Sequence, residues 1–387
     1  MKIESRLLCL LALGALQLSC ASKPAAAQDP NCILVASGVG PAGTVNVKAE
    51  TVVAGLEVPW GIAFLPGGDM LVTERPARVR LVRGGQLMPP VAQLSINAGG
   101  EGGLLGIAAH PDFAGTRFFY LYLTDRTGGS AANRVERWKL APDGLSAALD
   151  KVILAGIPAA QFHDGGRLRL GPDGMLYVGT GDARQPDLAQ SMTSLAGKIL
   201  RITPDGGIPA DNPFPGSPIF VLGIRNTQGF DWRDGSTLLV TDHGPSGDTG
   251  RSGHDEVNVA RAGANLGWPG IYSCESRSGM MTPALTWEQA VPPGGAAIYT
   301  GDAIPEWKGS LLVGVLGAEH LHRVVFDAAS ARVTLHEAYF RGAPPQGFGR
   351  LREVIMGPDK QLYVTTSNCD GRGDCPADKD RILRITR

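Results

Sequence analysis

Residues 171–179 read Gly-Pro-Asp-Gly-Met-Leu-Tyr-Val-Gly. The Asp-Gly pair supplies a tight turn, and the alternating apolar residues after it supply a short strand. The phrase returns along the chain: LPGGDMLVT at 65–73, RDGSTLLVT at 233–241, WKGSLLVG at 307–314 and GPDKQLYVT at 357–365. A looser copy, HPDFAGTRFFYLYL, stands at 110–123. Self-similarity on a scale of roughly 50–70 residues marks a repeat architecture. Six hairpins with flanking strands predict an all-β, six-bladed β-propeller, whose inter-repeat loops converge near a central channel. A β-sandwich would place its turn signals closer together. No long stretch carries helical periodicity; only 182–196 offers a helical turn or two.

Working outward, 43% hydrophobic residues, 53 Gly and 28 Pro in 387 residues suit a buried core made of many short strands. A formal net charge of −1 with mixed signs lacks the basic stripe that nucleic acid demands. Lys2 and Arg6 precede an apolar run at 7–18, which reads as an export signal and is too short to span a bilayer. Two endings remain open. Leu18-Ser19-Cys20 resembles a lipobox that would lipidate Cys20, and Ala25-Ala26-Ala27 offers ordinary cleavage. The expected organisation is a signal at 1–27, an N-terminal extension at 28–50 and the propeller at 51–387. The protein is then exported, to the periplasm or as an outer-membrane lipoprotein, touching membrane only through that anchor.

Past the signal, Cys32, Cys274, Cys369 and Cys375 remain, an even number suited to two disulfides. Cys369 and Cys375 flank a short loop and form the natural local pair, which leaves Cys32 with Cys274. No CxxC accompanies them, which argues against zinc.

Chemistry-bearing segments fall between the strand phrases: GEGGLLG at 100–106, FHDGGRL at 162–168, GIRNTQG at 223–229, DHGP at 242–245, HDEVN at 254–258, NLGWP at 265–269 and GRLRE at 349–353. Arg350 and Arg352, two apart on a strand, share one face. From the residues alone these loops describe an axial site with a His, several Arg and polar amides, suited to a planar polyanion.

The order and spelling of HDGGRLRLGPDGMLYVGTGD, LGIRNTQGFDW, DHGP with HDEVNVARAGANLGWP, GRLREVIMGPDKQLYV and VPWGIAFLPGGDMLVTER resemble the soluble glucose and aldose sugar dehydrogenases. The resemblance runs from about Leu56 to the C-terminus. It implies a six-bladed propeller that oxidises the anomeric hydroxyl of aldoses to lactones, with pyrroloquinoline quinone (PQQ) and calcium as cofactors. Its partners would be a small sugar and an electron acceptor. By the resemblance, His163 is the general base, Asp182 orients it, and Arg225 stabilises negative charge. Arg225, Asn226 and Gln228 stand beside the cofactor, and Arg350 and Arg352 grip its carboxylates. The backbone carbonyls of Gly244 and Pro245 ligate calcium.

Two departures bear on the cofactor. Glu101 stands at a cofactor-facing position where the family usually has Gln, and its charge is expected to repel anionic ligands. Val315-Leu316-Gly317-Ala318 lacks a Lys that the family often carries, and Arg251 is the candidate to replace it. A non-catalytic calcium-binding propeller recognising carbohydrate or protein is therefore the alternative. A metal-dependent lactonase would need more acidic ligands than these loops hold.

Overall fold

The computed structural model describes residues 27–96, 99–126 and 131–387, so the export signal and both its candidate ends, Ala27 apart, lie outside the described residues. Six antiparallel sheets follow one another along the chain as propeller blades. Their first strands are Pro59–Phe64, Leu104–Ala109, Leu168–Leu170, Gly229–Trp232, Pro293–Ile298 and Leu351–Met356. These pack against one another around the centre. Every repeated phrase forms the second strand of its blade: Met70–Glu74, Phe118–Asp125, Leu176–Gly179, Leu238–Asp242, Leu311–Val315 and Leu362–Thr366. The looser copy divides, because Asp112 caps a one-turn helix at Phe113–Thr116 before the strand begins. The helical turn allowed at 182–196 is a 3-10 turn at Pro186–Gln190.

The turn chemistry is explicit. Asp173 Oδ1 accepts the Met175 amide at 3.1 Å, Gly174 takes φ +75°, and Asp173 Oδ2 accepts the Tyr177 hydroxyl at 3.0 Å. Blade 6 repeats this with Asp359 and Tyr363, the Tyr363 hydroxyl lying 2.8 Å from Asp359 Oδ2. There Lys360 occupies the left-handed position at φ +61°, at a cost glycine avoids.

The core lies between blades. Leu176 and Val178 face blade 2, packing with Tyr120, Tyr122 and Val135. Tyr177 faces the other way, onto Phe230, Leu238 and Val240 of blade 4. Both faces of a second strand are thus buried, so its apolar residues run continuously and not in the alternation expected from the sequence. Truncating one such side chain costs about 2–5 kcal/mol.

The N-terminal segment is woven into the ring. Lys48–Leu56 pairs antiparallel with Asp380–Thr386 and completes blade 6. Ile33–Val35 adds a fifth strand, parallel, to blade 4. Asp380 locks the closure by accepting the amides of Val58 (3.1 Å), Asn368 (2.7 Å) and Cys369 (3.2 Å) and the Thr366 hydroxyl (2.9 Å). Both disulfides form, Cys32–Cys274 and Cys369–Cys375.

Candidate active site

In an up-and-down blade, the loop entering the first strand and the loop leaving the second lie at the same end. The first set carries Glu101, His163, Arg225, Asn226, Gln228 and Arg350. The second carries Arg75, Asp182, His243, Leu316 and Asp370. They enclose a two-lobed cleft. The larger lobe, about 730 Å³, is lined by His163, Arg184, Arg225, Gly244 and Asp248 among others. The smaller, about 210 Å³, is lined by Arg75, Gln228, Arg350, Arg352 and Asp370 among others. Glu101, Phe162, His243, Pro292 and Arg372 line both.

His163 Nδ1 lies 2.7 Å from Asp182 Oδ1. Asp182 is fully buried and also accepts the Arg184 amide at 2.8 Å and the Trp268 indole N–H at 2.9 Å. Three donors converge on this one carboxylate, which serves them as acceptor, so Nδ1 carries the proton and Nε2 is the nitrogen left for the cleft. His163 sits at φ +66°, an unusual conformation for a non-glycine residue. A Cβ at Gly181 would come within 1.9 Å of the His163 carbonyl, so only glycine permits this approach of the two loops.

Glu101 does not stand free to repel an anion. Its carboxylate accepts the His163 amide at 3.2 Å and the Arg372 guanidinium at 3.0 Å. Burial pushes its pKa upward, but nearby positive charge and these hydrogen bonds outweigh that and hold it below its ordinary value. His243 is one of the groups acting on it, yet burial lowers the His243 pKa to about 4. At neutral pH, Arg372 and the His163 amide therefore do the holding.

Neutral His243 donates through Nε2 to the Pro293 carbonyl at 2.8 Å, leaving Nδ1 to accept from Asn226 Nδ2 at 3.2 Å. Asn226 Oδ1 accepts the Gly165 amide at 2.9 Å, which ties the His163 loop to the blade 4 loop. Asp242 caps the amides of Arg225 (2.8 Å) and Asn226 (2.7 Å), and its burial lifts its pKa to about 7. Arg225 is paired bidentately with Asp248 at 2.8 and 3.0 Å, a partner that was not read from the sequence. Gly244 lines the larger lobe, and its amide donates to Asp255 at 3.0 Å. The Pro245 carbonyl accepts the Gly253 amide at 3.0 Å.

Arg350 and Arg352 share Asp370 at 2.9 and 3.1 Å, and Arg352 also donates to Gln228 Oε1 at 2.8 Å. Burial lowers the Arg352 pKa to about 10; Asp370 opposes this, and Arg75 and Arg350 add to it. The cation expected after Leu316 is absent, but Arg75 and Arg372 bring guanidinium groups to the same lobe. Arg251 is not the replacement. It packs 4.8 Å from the centre of the Tyr272 ring with Glu275 at 3.9 Å and lines neither lobe of the cleft.

At the centre, Glu353 joins Arg167 and Arg169, the latter at 2.8 Å. Arg167 is fully buried, lies 4.4 Å from the centre of the Trp60 ring and donates to the Gln228 carbonyl at 2.7 Å.

Residues 56–383 match the glucose/sorbosone dehydrogenase family. The chain belongs to that family. It is 33% identical over 368 residues to the aldose sugar dehydrogenase YliI of Escherichia coli K12, covering 88% of this chain and 94% of that protein. It is 30% identical over 269 residues to quinoprotein glucose dehydrogenase B of Acinetobacter calcoaceticus, covering 60% of this chain and 55% of that one. The PQQ-bound aldose sugar dehydrogenase of Streptomyces coelicolor superposes with a TM-score of 0.78 at 36% identity, over 90% of this chain and 99% of that one.

In this sugar dehydrogenase, the residues that sequence reasoning missed are Arg75, Arg184, Asp248, Asp370 and Arg372, while Phe162 and Trp268 stood in the segments singled out but without a role. Arg75 directly follows a second strand, and Arg184 and Asp370 lie in the loops that leave second strands ending at Gly179 and Thr366, so blade position was the available signal for them. The pairing of Arg372 with Glu101, across 271 residues, had no local signal.

Proposed function

We propose that this dehydrogenase oxidises the anomeric hydroxyl of aldoses to lactones, with PQQ and calcium as its resident cofactors. The observation that carries the reading is the buried Asp182–His163 pair presenting Nε2 to the larger lobe, beside a lobe rich in guanidinium groups.

The smaller lobe suits a planar polycarboxylate. Arg75, Arg350, Arg352 and Arg372 bring four guanidinium groups against the two carboxylates of Asp370 and Glu101, so the lobe carries surplus positive charge. Arg350 and Arg352 would hold the cofactor's carboxylates, with Gln228 and Asn226 beside it, because guanidinium forks match carboxylates bidentately. The carbonyls of Gly244 and Pro245 would hold calcium, a hard cation that takes such oxygens. One Pro245 lone pair is used by Gly253, and the second remains. When bound, the quinone supplies a two-electron acceptor that calcium polarises.

The residues of the chain do the rest. Asp182 holds Nδ1–H and stabilises the imidazolium that forms, while Nε2 takes the proton of the anomeric hydroxyl. Arg225, itself only 2% exposed, would offset negative charge developing in the larger lobe. Two disulfides support an oxidising, extracytoplasmic setting.

The test is reconstitution with PQQ and Ca²⁺, followed by dye reduction with aldoses. His163→Ala should lose about 10²–10⁴ in turnover at saturating cofactor, with cofactor affinity retained. A His163→Ala variant that keeps wild-type turnover rejects the proposed base, and wild-type protein that binds no PQQ rejects the cofactor.

A further inference from the structure

The larger lobe contains three guanidinium groups, and two are already matched. Arg225 pairs with Asp248 and Arg372 with Glu101. Arg184 has no carboxylate partner among the described residues. Its guanidinium carbon lies 5.8 Å from the centre of the Phe162 ring, and the residue lines the lobe.

Its placement is held by the backbone. Ala183 and Arg184 sit consecutively in the left-handed region, at φ +52° and +59°. Such conformations cost about 1–3 kcal/mol each outside glycine and persist only where surroundings enforce them. Here the Arg184 amide is held by Asp182 Oδ1, the Ala183 amide by the His163 carbonyl at 3.2 Å, and the Gln185 amide by the Asp182 carbonyl at 3.0 Å. The hydrogen bonds that orient the His163–Asp182 pair therefore also set Arg184 at the cleft. Phe162, next to His163 in the chain and half-buried, lines the same lobe, with the Arg184 and Arg372 guanidinium carbons each 5.8 Å from its ring centre.

We propose that the substrate is an aldose carrying an anionic group at the end remote from its anomeric carbon, a hexuronate or a hexose 6-phosphate, with Arg184 receiving that group. The inference rests on the reading of His163 as the base at the anomeric hydroxyl. The chemistry is unchanged by it. The hydroxyl proton goes to His163, C1 loses its hydrogen with two electrons to the PQQ named above, the C1–O bond becomes a carbonyl, and the remote anion is untouched. A pyranose lying along Phe162 would offer its anomeric end to His163 and its far end to Arg184. The other carboxylates of the lobe do not compete for the guanidinium: Glu101 and Asp248 are paired, and Asp255 is used by the amides of Gly244 and Val291.

Holoenzyme reconstituted with PQQ and Ca²⁺ is assayed with glucose, galactose, glucuronate, galacturonate and glucose 6-phosphate. The expected result is a kcat/KM at least about 10-fold higher for a charged sugar than for its neutral parent, the discrimination one charge-assisted contact supplies. Preference for the uronates or for the phosphate ester identifies the source, and either supports the inference. Arg184→Asn keeps a residue that tolerates the left-handed backbone and should cut the preference by about 10-fold or more, mainly through KM. Arg184→Lys should restore part of it. A wild-type ratio at or below one, or a ratio that Arg184→Asn leaves intact, overturns the inference while the aldose reading stands. If no sugar is oxidised, that reading fails instead. Calorimetric titration of glucuronate and glucose 6-phosphate into cofactor-free protein then decides the inference: absent binding, or equal affinity in Arg184→Asn, overturns it.

Discussion

Replacing Asp182 with Asn tests how the buried carboxylate controls His163. The carboxylate has two oxygens and three donors: His163 Nδ1, the Arg184 amide and the Trp268 indole N–H. An amide keeps one oxygen and brings two N–H groups of its own. With its NH₂ towards Trp268, donor meets donor in a fully buried site. With its NH₂ towards His163, the imidazole must accept at Nδ1 and carry its proton on Nε2, the wrong tautomer for a base, and the Arg184 amide loses its acceptor. Either way about one buried donor is left unsatisfied, costing about 1–3 kcal/mol of stability. The tautomer reversal, where it occurs, removes the base, with an expected loss of about 10²–10⁴ in kcat. At 1.36 kcal/mol per decade this is about 3–5 kcal/mol of barrier. The assay is steady-state dye reduction at saturating PQQ, Ca²⁺ and sugar, with cofactor affinity titrated by absorbance and unfolding followed by denaturant. Cofactor affinity should stay near wild type, because no cofactor-facing guanidinium touches Asp182. If Asp182→Asn keeps kcat within about threefold of wild type while stably folded, the role of the Asp182 charge in stabilising the His163 imidazolium is refuted.

Arg352→Ala should weaken PQQ binding about 10- to 150-fold, the equivalent of one charged hydrogen-bonded contact of about 1.5–3 kcal/mol; unchanged affinity in an absorbance titration would remove Arg352 from the cofactor site. Glu353→Gln leaves Arg167 buried with a weakened partner and should cost about 3–5 kcal/mol in chemical denaturation; a loss under about 1 kcal/mol would show that the central ion pair is dispensable. Asp164 is buried, with Oδ2 unpartnered among the described residues and its pKa raised by desolvation to about 6. The folded state therefore binds the proton more tightly than the unfolded chain, so this group's contribution is fully present below about pH 4 and is lost as pH rises through about 6. Asp164→Asn should gain on wild type over that window in denaturation curves taken from pH 4 to 8; a constant difference across the range would contradict the assignment.

The turn-strand phrase was legible because its causes are local. An Asx turn around Asp173 or Asp359, followed by residues apolar on both faces, needs no distant partner to be recognised, and six copies imply a ring. Asp182, following the second strand of blade 3, and His163, preceding the inner strand of that same blade, were legible through the family resemblance, and the blade's strand order carries both to one end. The ionic partners were not. Asp370 on Arg350 and Arg352, Asp248 on Arg225, and Arg372 on Glu101 depend on which loops the closed ring sets opposite one another. Arg352 meets Gln228 across 124 residues, and Val58 meets Asp380 across 322. Glu101 read alone is an anion facing an anion site. Its meaning changed because a guanidinium from blade 6 neutralises it, and charge pairing falls off with spatial distance, not with separation along the chain. Local propensity therefore determined the blades and the entry points of the site. Ring closure decided which charges are spent on one another and left Arg184 without a carboxylate partner in the larger lobe.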